Sequence, residues 1–254
     1  MSAAGRQTSH QPMPTSPLTL IACSSAIVAI TWWITRDFAR WKSLGPGGLP
    51  HSLAGWLAMS FLRLLKRDGR DAKRLVSTVA SDERSYLGTM VRRQGSRPLV
   101  APYPIPHRQL SDTVSSENLD RLVNLFDQEV EKNKDTVHYA QSFFEKHHDA
   151  ITLKHPECGH VHALVSHGEI AHIHPSDGSM HMILSACDAK TVLDSHWGEL
   201  HSLAGLFNRL PTSYTFVYAP RNEADLEAIQ RILSASVTFM TKPFHPPHSL
   251  ASSK

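Results

Sequence analysis

Cysteine is scarce in this chain of 254 residues: Cys23, Cys158 and Cys187 are its three. An odd and small number excludes a disulfide framework, and reduced thiols fit a cytosol-facing domain. A second cysteine pair is also missing beside His155-Pro-Glu-Cys158-Gly-His160-Val-His162. That run has the residue types of a zinc knuckle, but without more thiolates it reads as a loop that happens to carry ligand types. Charge of one sign is lacking too. Lys and Arg total 26 against 23 Asp and Glu, for a net charge of +3. With no interleaving of arginine and aromatics, a nucleic-acid surface is excluded.

One stretch lacks charge altogether. The 18 residues from Leu18 to Thr35 carry no ionisable acid or base and end in Trp32-Trp33-Ile-Thr. Eighteen uncharged, mostly apolar residues are just enough to span a bilayer, and tryptophans suit its interface. A signal peptide or a buried core helix competes with this reading. A signal peptide, however, has a basic start and small residues after its apolar core. Here only Arg6 precedes the run and tryptophans end it, which favours an uncleaved anchor. Arg36, Arg40 and Lys42 follow, so the positive-inside rule places the C-terminal part in the cytosol.

The rest divides by composition. Residues 1–17, rich in Ser, Pro and Gln, are expected to be disordered, as is the tail 242–254. Residues 36–115 read as a juxtamembrane region and linker. Within it, Gly45-Pro-Gly-Gly-Leu-Pro50 breaks the chain before a 13-residue apolar run, Leu53 to Leu65. Lys66, Arg67, Arg70, Lys73 and Arg74 come next. An apolar helix with a basic flank fits the surface of an anionic membrane, and equally a helix packed on the domain. The Pro-rich segment 95–115 reads as a linker or an irregular wrap.

A compact domain is expected over 116–241. Leu119, Leu122, Val123, Phe126 and Val130 form a helical stripe, and 138–144 and 150–153 read as strands. Ser185-Ala-Cys-Asp188 resembles a capping box opening a helix. Residues 213–219 read as a strand. Asn222 then caps a helix with Leu226, Ile229, Leu233, Val237 and Met240 on one stripe. The order predicts an α+β fold with a mainly antiparallel sheet.

Histidine is what this chain has in excess. Twelve of its 17 histidines fall between His138 and His201. Apolar-alternating runs flank the turn-prone Pro175-Ser-Asp-Gly178. A four-residue hairpin loop there sets His174 opposite Ser179 and His172 opposite His181. Opposed residues share a face, so His172, His174 and His181 fall on one patch, with Ala171, Ile173, Met180 and Met182 on the other face. Three neutral imidazoles can bind a transition metal facially, or act as base and hydrogen-bond donors. Asp177 reads as a turn residue. The patch is expected to face the rim, so its replacement by alanine should cost little stability.

Glu169-Ile-Ala-His-Ile-His174, His181, Trp197-Gly198-x-x-His201-x-Leu-Ala-Gly205 and Tyr218-Ala-Pro-Arg-Asn-Glu223 resemble the fungal luciferase family. The resemblance is specific over 168–241. It extends to Arg36-Asp-Phe38, Gly45-Pro46 and Gly95-Ser-Arg-Pro98. Where the family has Gly-Trp-Gly, this chain has His196-Trp197-Gly198. The best-known member oxidises 3-hydroxyhispidin with molecular oxygen in luminous mushrooms. The resemblance implies an endoplasmic-reticulum-type membrane anchor, oxygen as co-substrate, and neither flavin nor nicotinamide. It does not imply light.

On this reading an enolic aromatic or hydroxypyrone loses a proton, reacts with oxygen, and breaks down through a cyclic peroxide with loss of carbon dioxide. His172, His174 and His181 become base, anion stabilisers or ligands of a divalent metal. His201 completes the cluster or is a satisfied loop histidine. Trp197 stacks on the substrate or belongs to the core. Tyr218 joins it in the substrate site. Arg221 binds a substrate oxygen or pairs at the start of the last helix. Retention of these residues favours an oxidative enzyme acting on a small molecule at a membrane lipid surface. A polar or filled pocket would favour a non-catalytic binding or scaffold protein. The anchor is directly testable. Carbonate washing of microsomes should leave the full chain in the pellet, with the C-terminal part open to added protease; carbonate release or protection would contradict it.

Overall fold

The computed structural model describes residues 17–75 and 84–243. The expected disorder of 1–17 and 242–254 lies outside the described residues except at Pro17, which instead opens the first helix, and at 242–243. The chain divides after Ser43 into two units. The first holds helix α1, Pro17–Ser43, which runs on through Arg36, Arg40 and Lys42. Its best 18-residue window has mean hydropathy 1.8 and none of it is buried. By length and composition it is able to cross a membrane: 27 residues make a rod of about 40 Å against a hydrocarbon core of about 30 Å.

The second unit contains α2 (Leu53–Arg63), α3 (Ser116–Lys132), α4 (Ala186–Asp194) and α5 (Glu223–Thr241). It also contains strands β1 (Val137–Gln141), β2 (Asp149–Leu153), β3 (Glu169–Ile173), β4 (Met180–Ile183), β5 (Gly198–Leu200) and β6 (Tyr214–Val217). The strands form one antiparallel sheet in the order β1-β2-β3-β4-β6-β5. The α+β expectation holds.

The two faces of the sheet differ. Ala171, Met180, Met182, Leu200 and Val217 point to one face and join a continuous core with Ile229, Leu233, Val237 and Met240 of α5. That helix starts where Asn222 accepts a hydrogen bond from the Asp225 N–H at 2.9 Å. The opposite face carries the histidines. It is covered by the segment 95–115, whose His107 packs on His181, His201 and Phe216, while the chain at Gly69 lies along the β5 edge, its carbonyl accepting from the Leu200 N–H. Segment 95–115 is thus the wrap, and the compact unit begins well before Ser116.

The hairpin forms as the turn composition predicts. His172 pairs with His181, and the His174 N–H donates to the Ser179 carbonyl at 2.8 Å. Gly178 is required in the turn. Its φ is +76°, and a Cβ there would sit 2.4 Å from Val114.

Two local expectations need correction, and one local difference from the family finds its explanation. Val123 of α3 is exposed, and Glu129 joins Leu122 and Phe126 on the buried side. Ser185 caps α4 by accepting from the Asp188 N–H, but Asp188 does not reciprocate. Its carboxylate instead accepts from Ser85 Oγ and the N–H groups of Tyr86 and Leu87, pinning a distant segment. The turn at His196 keeps a glycine-type shape without glycine: its φ is 65°. The Trp197 N–H donates to the Val192 carbonyl and the His196 N–H to that of Leu193, the Schellman closure of a helix.

His155–His162 is an irregular segment holding one 3-10 turn, Pro156–Cys158, and ending on the first residue of a short helix, with Cys158 exposed. The loop is tied to the end of α5 by the His160 N–H donating to the Met240 carbonyl. Burial lowers the imidazoles of His160 and His162 to about 4. An unfolded imidazole titrates near 6.5. Below about pH 6.5 the unfolded chain therefore binds protons that the folded chain refuses until about pH 4. Stability should be full above that window and fall within it. Calorimetry of the detergent-solubilised chain should show Tm dropping from pH 7 to pH 5. A His160→Gln/His162→Gln variant should lose roughly 3 °C less over that span. An unchanged pH slope would contradict this.

Candidate functional site

The hairpin delivers what its spacing promised, but deeper inside the protein. His172, His174 and His181 lie on one face with ring centroids 5.0–5.3 Å apart. They are not on the rim: their exposures are 1%, 0% and 2%. The expectation that alanine replacements would be harmless is therefore overturned. Each would open a cavity and strand buried partners, at a cost of about 2–5 kcal/mol.

Hydrogen bonds fix the protons. His172 Nδ1 lies 2.6 Å from Glu169 Oε1. That carboxylate also accepts from Ser142 Oγ and from the N–H groups of Phe143 and Phe144. A carboxylate so surrounded by donors is an acceptor, so His172 donates from Nδ1. His174 Nδ1 lies 2.8 Å from Ser179 Oγ. The Ser179 hydroxyl gives its own proton to Asp177 Oδ1, so His174 also donates from Nδ1. Both Nε2 atoms are then left with lone pairs. They face each other at 3.2 Å.

Two acceptors at that distance repel unless something positive lies between them. A shared proton meets the need. So does a cation: two nitrogens about 2.1 Å from one tetrahedral ion lie about 3.4 Å apart. His172, His174 and His181 together place ligand atoms within 4.8 Å of one another. The Nδ1 of His181 has no hydrogen-bond partner. Each of His172 and His174 has the carboxylate-backed partner typical of a metal-bound or catalytic imidazole.

A second trio, His107, His181 and His201, meets the same distance limit. It is the poorer candidate for a cation. The Leu203 N–H donates to His201 Nδ1 at 3.1 Å, which puts the ring proton on Nε2. His201 thus serves as a donor, 5.4 Å from His181 between ring centroids. His107 stacks on Phe216 at 4.0 Å, with Nε2 3.3 Å from Glu199.

The surroundings disfavour charge on His174, His181 and His201. Burial, reinforced by Arg108 and neighbouring imidazoles, holds His174 well below the ordinary histidine value. Burial and the adjoining imidazoles do the same to His181, and burial with His107 to His201. Burial raises Asp177 against the hydrogen bonds from Ser179. Burial also opposes ionisation of Glu199, but hydrogen bonds from His107 and Tyr218 outweigh it and hold that carboxyl low. Arg108 is paired with Glu145 at 2.6 Å, both buried.

Two cavities adjoin the histidines. One, about 400 Å³, has an apolar wall of Leu49, Leu62, Phe144, Leu203, Leu206 and Leu210, and reaches His181, His201 and Tyr214. The other, about 590 Å³, is cationic, with Arg63, Lys66, Arg67 and Arg97 beside His107, Glu199 and Tyr218.

The remaining expected site residues fall elsewhere. Trp197 is a core residue whose Nε1 donates to the Val91 carbonyl, and it lines neither cavity. Arg221 is held by Asp225 at 2.8 Å and by the Gln94 carbonyl, the helix-start ion pair rather than a substrate contact. Tyr218 lines the cationic cavity and donates to Glu199 at 3.1 Å. Sequence reasoning missed His107, Arg108, Glu145, Glu169 and Asp177. Glu169, three residues before His172, was the one with a local signal.

A luciferase-domain family profile matches residues 167–236. The chain is 30% identical over 237 residues to a luciferase of Armillaria mellea, covering 88% of each. It is 31% identical over 232 residues to one of Armillaria ostoyae, covering 87% of this chain and 86% of that protein. It is 31% identical over 223 residues to one of Neonothopanus nambi, covering 82% and 81%. No solved structure matches the chain.

The tautomer assignment has its own test. Nitrogen-15 NMR of the imidazoles in the full chain should show His172 and His174 protonated at Nδ1, with Nε2 shifted by a shared proton or a metal. Two ordinary Nε2–H tautomers would overturn it.

Proposed function

The chain belongs to the fungal luciferase family, and on that premise we propose that it is a membrane-anchored oxidative enzyme. We take its substrates to be molecular oxygen and a small enolic aromatic or hydroxypyrone of the 3-hydroxyhispidin kind, the chemistry that the resemblance to fungal luciferases implies. The observation that carries this reading is the apolar cavity ending on neutral, buried His181 and His201, backed by the His172–His174 pair. A volume of about 400 Å³ suits a flat molecule of a few rings. The cavity's mainly apolar lining supports a small-molecule site over a purely scaffolding role.

The chemistry follows from the proton map. A bound enol hydroxyl reaches His181 at the inner end of the cavity, an imidazole that burial holds neutral at physiological pH and so able to take its proton. His201, whose Nε2–H is held by the Pro104 carbonyl, stands beside it as a second neutral imidazole and would have to exchange that bond to donate to the resulting anion. The proton's charge is shared with the adjoining imidazoles, whose far sides rest on Glu169 and on the Ser179–Asp177 relay. The electron-rich carbon then attacks oxygen. The peroxide so formed closes on the neighbouring carbonyl and fragments with loss of carbon dioxide. Substrate and oxygen supply every atom, and no organic cofactor is consumed. A divalent ion held by His172, His174 and His181 would supply Lewis acidity at the same point.

Helix α1 serves as a single-pass anchor in the endoplasmic reticulum, with the C-terminal unit in the cytosol.

Glutamine variants test the site with the least disruption of packing. His172→Gln, His174→Gln and His181→Gln should each lower oxygen uptake on a hydroxypyrone by about 10²-fold or more at near-normal Tm. His138→Gln, on β1 outside the cluster, should stay within about twofold. Metal analysis of the purified chain decides between proton and ion. Unchanged oxygen uptake in the three cluster variants would overturn the proposal.

A further inference from the structure

Helix α2 is apolar all round. Gly55, Trp56 and Met59 are buried against the domain. Leu53, Leu57 and Phe61 fall on the opposite side of the helix, with Leu64 just beyond its end, and these are 58%, 56%, 64% and 81% exposed. Their spacing of four, four and three residues makes one continuous outward stripe. A helix with two apolar faces needs a second apolar phase.

The chemistry next to the stripe says which phase. From Arg63 to Arg74 the chain carries six cationic residues against two acidic ones, and Lys66, Arg67, Arg70 and Lys73 are exposed. An apolar stripe ending in an excess of positive charge matches the interface of an anionic bilayer. Nine residues of chain separate Ser43, the end of the helix able to span a membrane, from Leu53.

The inner side of the same helix borders the apolar cavity. Leu62 of α2 lines it, and so does Phe207, whose ring is 70% exposed. Phe207 and Asn208 both take positive φ, 54° and 51°, an unfavourable conformation for an aromatic residue. Leu203, Leu206 and Leu210 continue the apolar lining from Phe207 towards His181 and His201.

We propose that the outward face of α2 and Phe207 seat in the interfacial layer of an anionic membrane, so that the apolar cavity draws its substrate from the lipid phase. The inference rests on the proposed reading of that cavity as the substrate site. It adds a substrate class: uncharged, lipophilic molecules that partition into bilayers before oxidation. The cationic flank fixes depth and orientation, and the leucine and phenylalanine side chains enter about 5–10 Å.

The test uses the full chain in phosphatidylserine-containing nanodiscs, with Cys23, Cys158 and Cys187 replaced by serine. Nitroxide labels are placed at Leu57→Cys, Phe61→Cys and Phe207→Cys, with Glu131→Cys as an aqueous control. At the first three sites, collisions with oxygen should exceed those with a water-soluble nickel chelate; at Glu131 the order should reverse. Aqueous behaviour at the three sites would overturn the proposal. So would shielding from both reagents, which signals a protein partner or a second copy. In a parallel assay, Leu57→Glu/Phe61→Glu should raise KM about tenfold for a vesicle-borne hydroxypyrone, with kcat kept, and leave KM for a water-soluble analogue unchanged. Equal changes for both substrates would contradict it. Absence of turnover with either would sink the oxidative function, and the label data alone would then decide the docking.

Discussion

Two imidazole lone pairs, on His172 Nε2 and His174 Nε2, point at each other across 3.2 Å inside the protein. That confrontation is unfavourable without a proton or a cation between them, and much of the surrounding structure exists to hold it. Glu169 fixes one ring and the Ser179–Asp177 pair fixes the other. Glu169 is itself held by the Ser142–Phe144 turn, and Asp177 by the Gln109 N–H. Buried polar networks of this kind are costly when half-satisfied. Their completeness here on the Nδ1 side makes the open Nε2 side the informative one.

The sheet and the wrap divide the labour. The sheet supplies rigid register: His172, His181, Phe216 and Glu199 follow one another across β3, β4, β6 and β5. Helices on the far face supply the apolar burial that stabilises that register. The wrap then removes water from the histidine face with His107, Arg108 and Gln109, each under 5% exposed. Its charge is matched on the spot, since Arg108 meets Glu145 and His107 meets Glu199. Dry surroundings disfavour charge on His174, His181 and His201 and strengthen each dipole aimed at a bound anion.

How much of this was legible in the sequence follows from locality. The hairpin was readable because turn chemistry and period-two alternation are local, and the opposition of His172 and His181 follows from loop length alone. The α5 stripe and its Asn222 cap were readable for the same reason. The depth of the patch was not, because it depends on a segment some 65 residues upstream that has no periodicity to betray it. Asp177 was read as a turn residue, which it is; its second role needs Ser179 and Gln109 together. Trp197 and Arg221 looked chemical by type, yet one fills the core and the other caps an ion pair. The substitution of His196 for the family's glycine left the turn intact, since two backbone hydrogen bonds impose the left-handed conformation on a histidine.

The central claim is that a flat enol reaches the histidine cluster through the apolar cavity. A crystal structure of the protein with a non-oxidisable hydroxypyrone analogue tests it most directly. The account predicts the ring between Leu62, Leu203 and Leu210, with its enol oxygen within hydrogen-bond reach of His181 or His201. An analogue bound only in the cationic cavity, or at the surface away from His181, would contradict it.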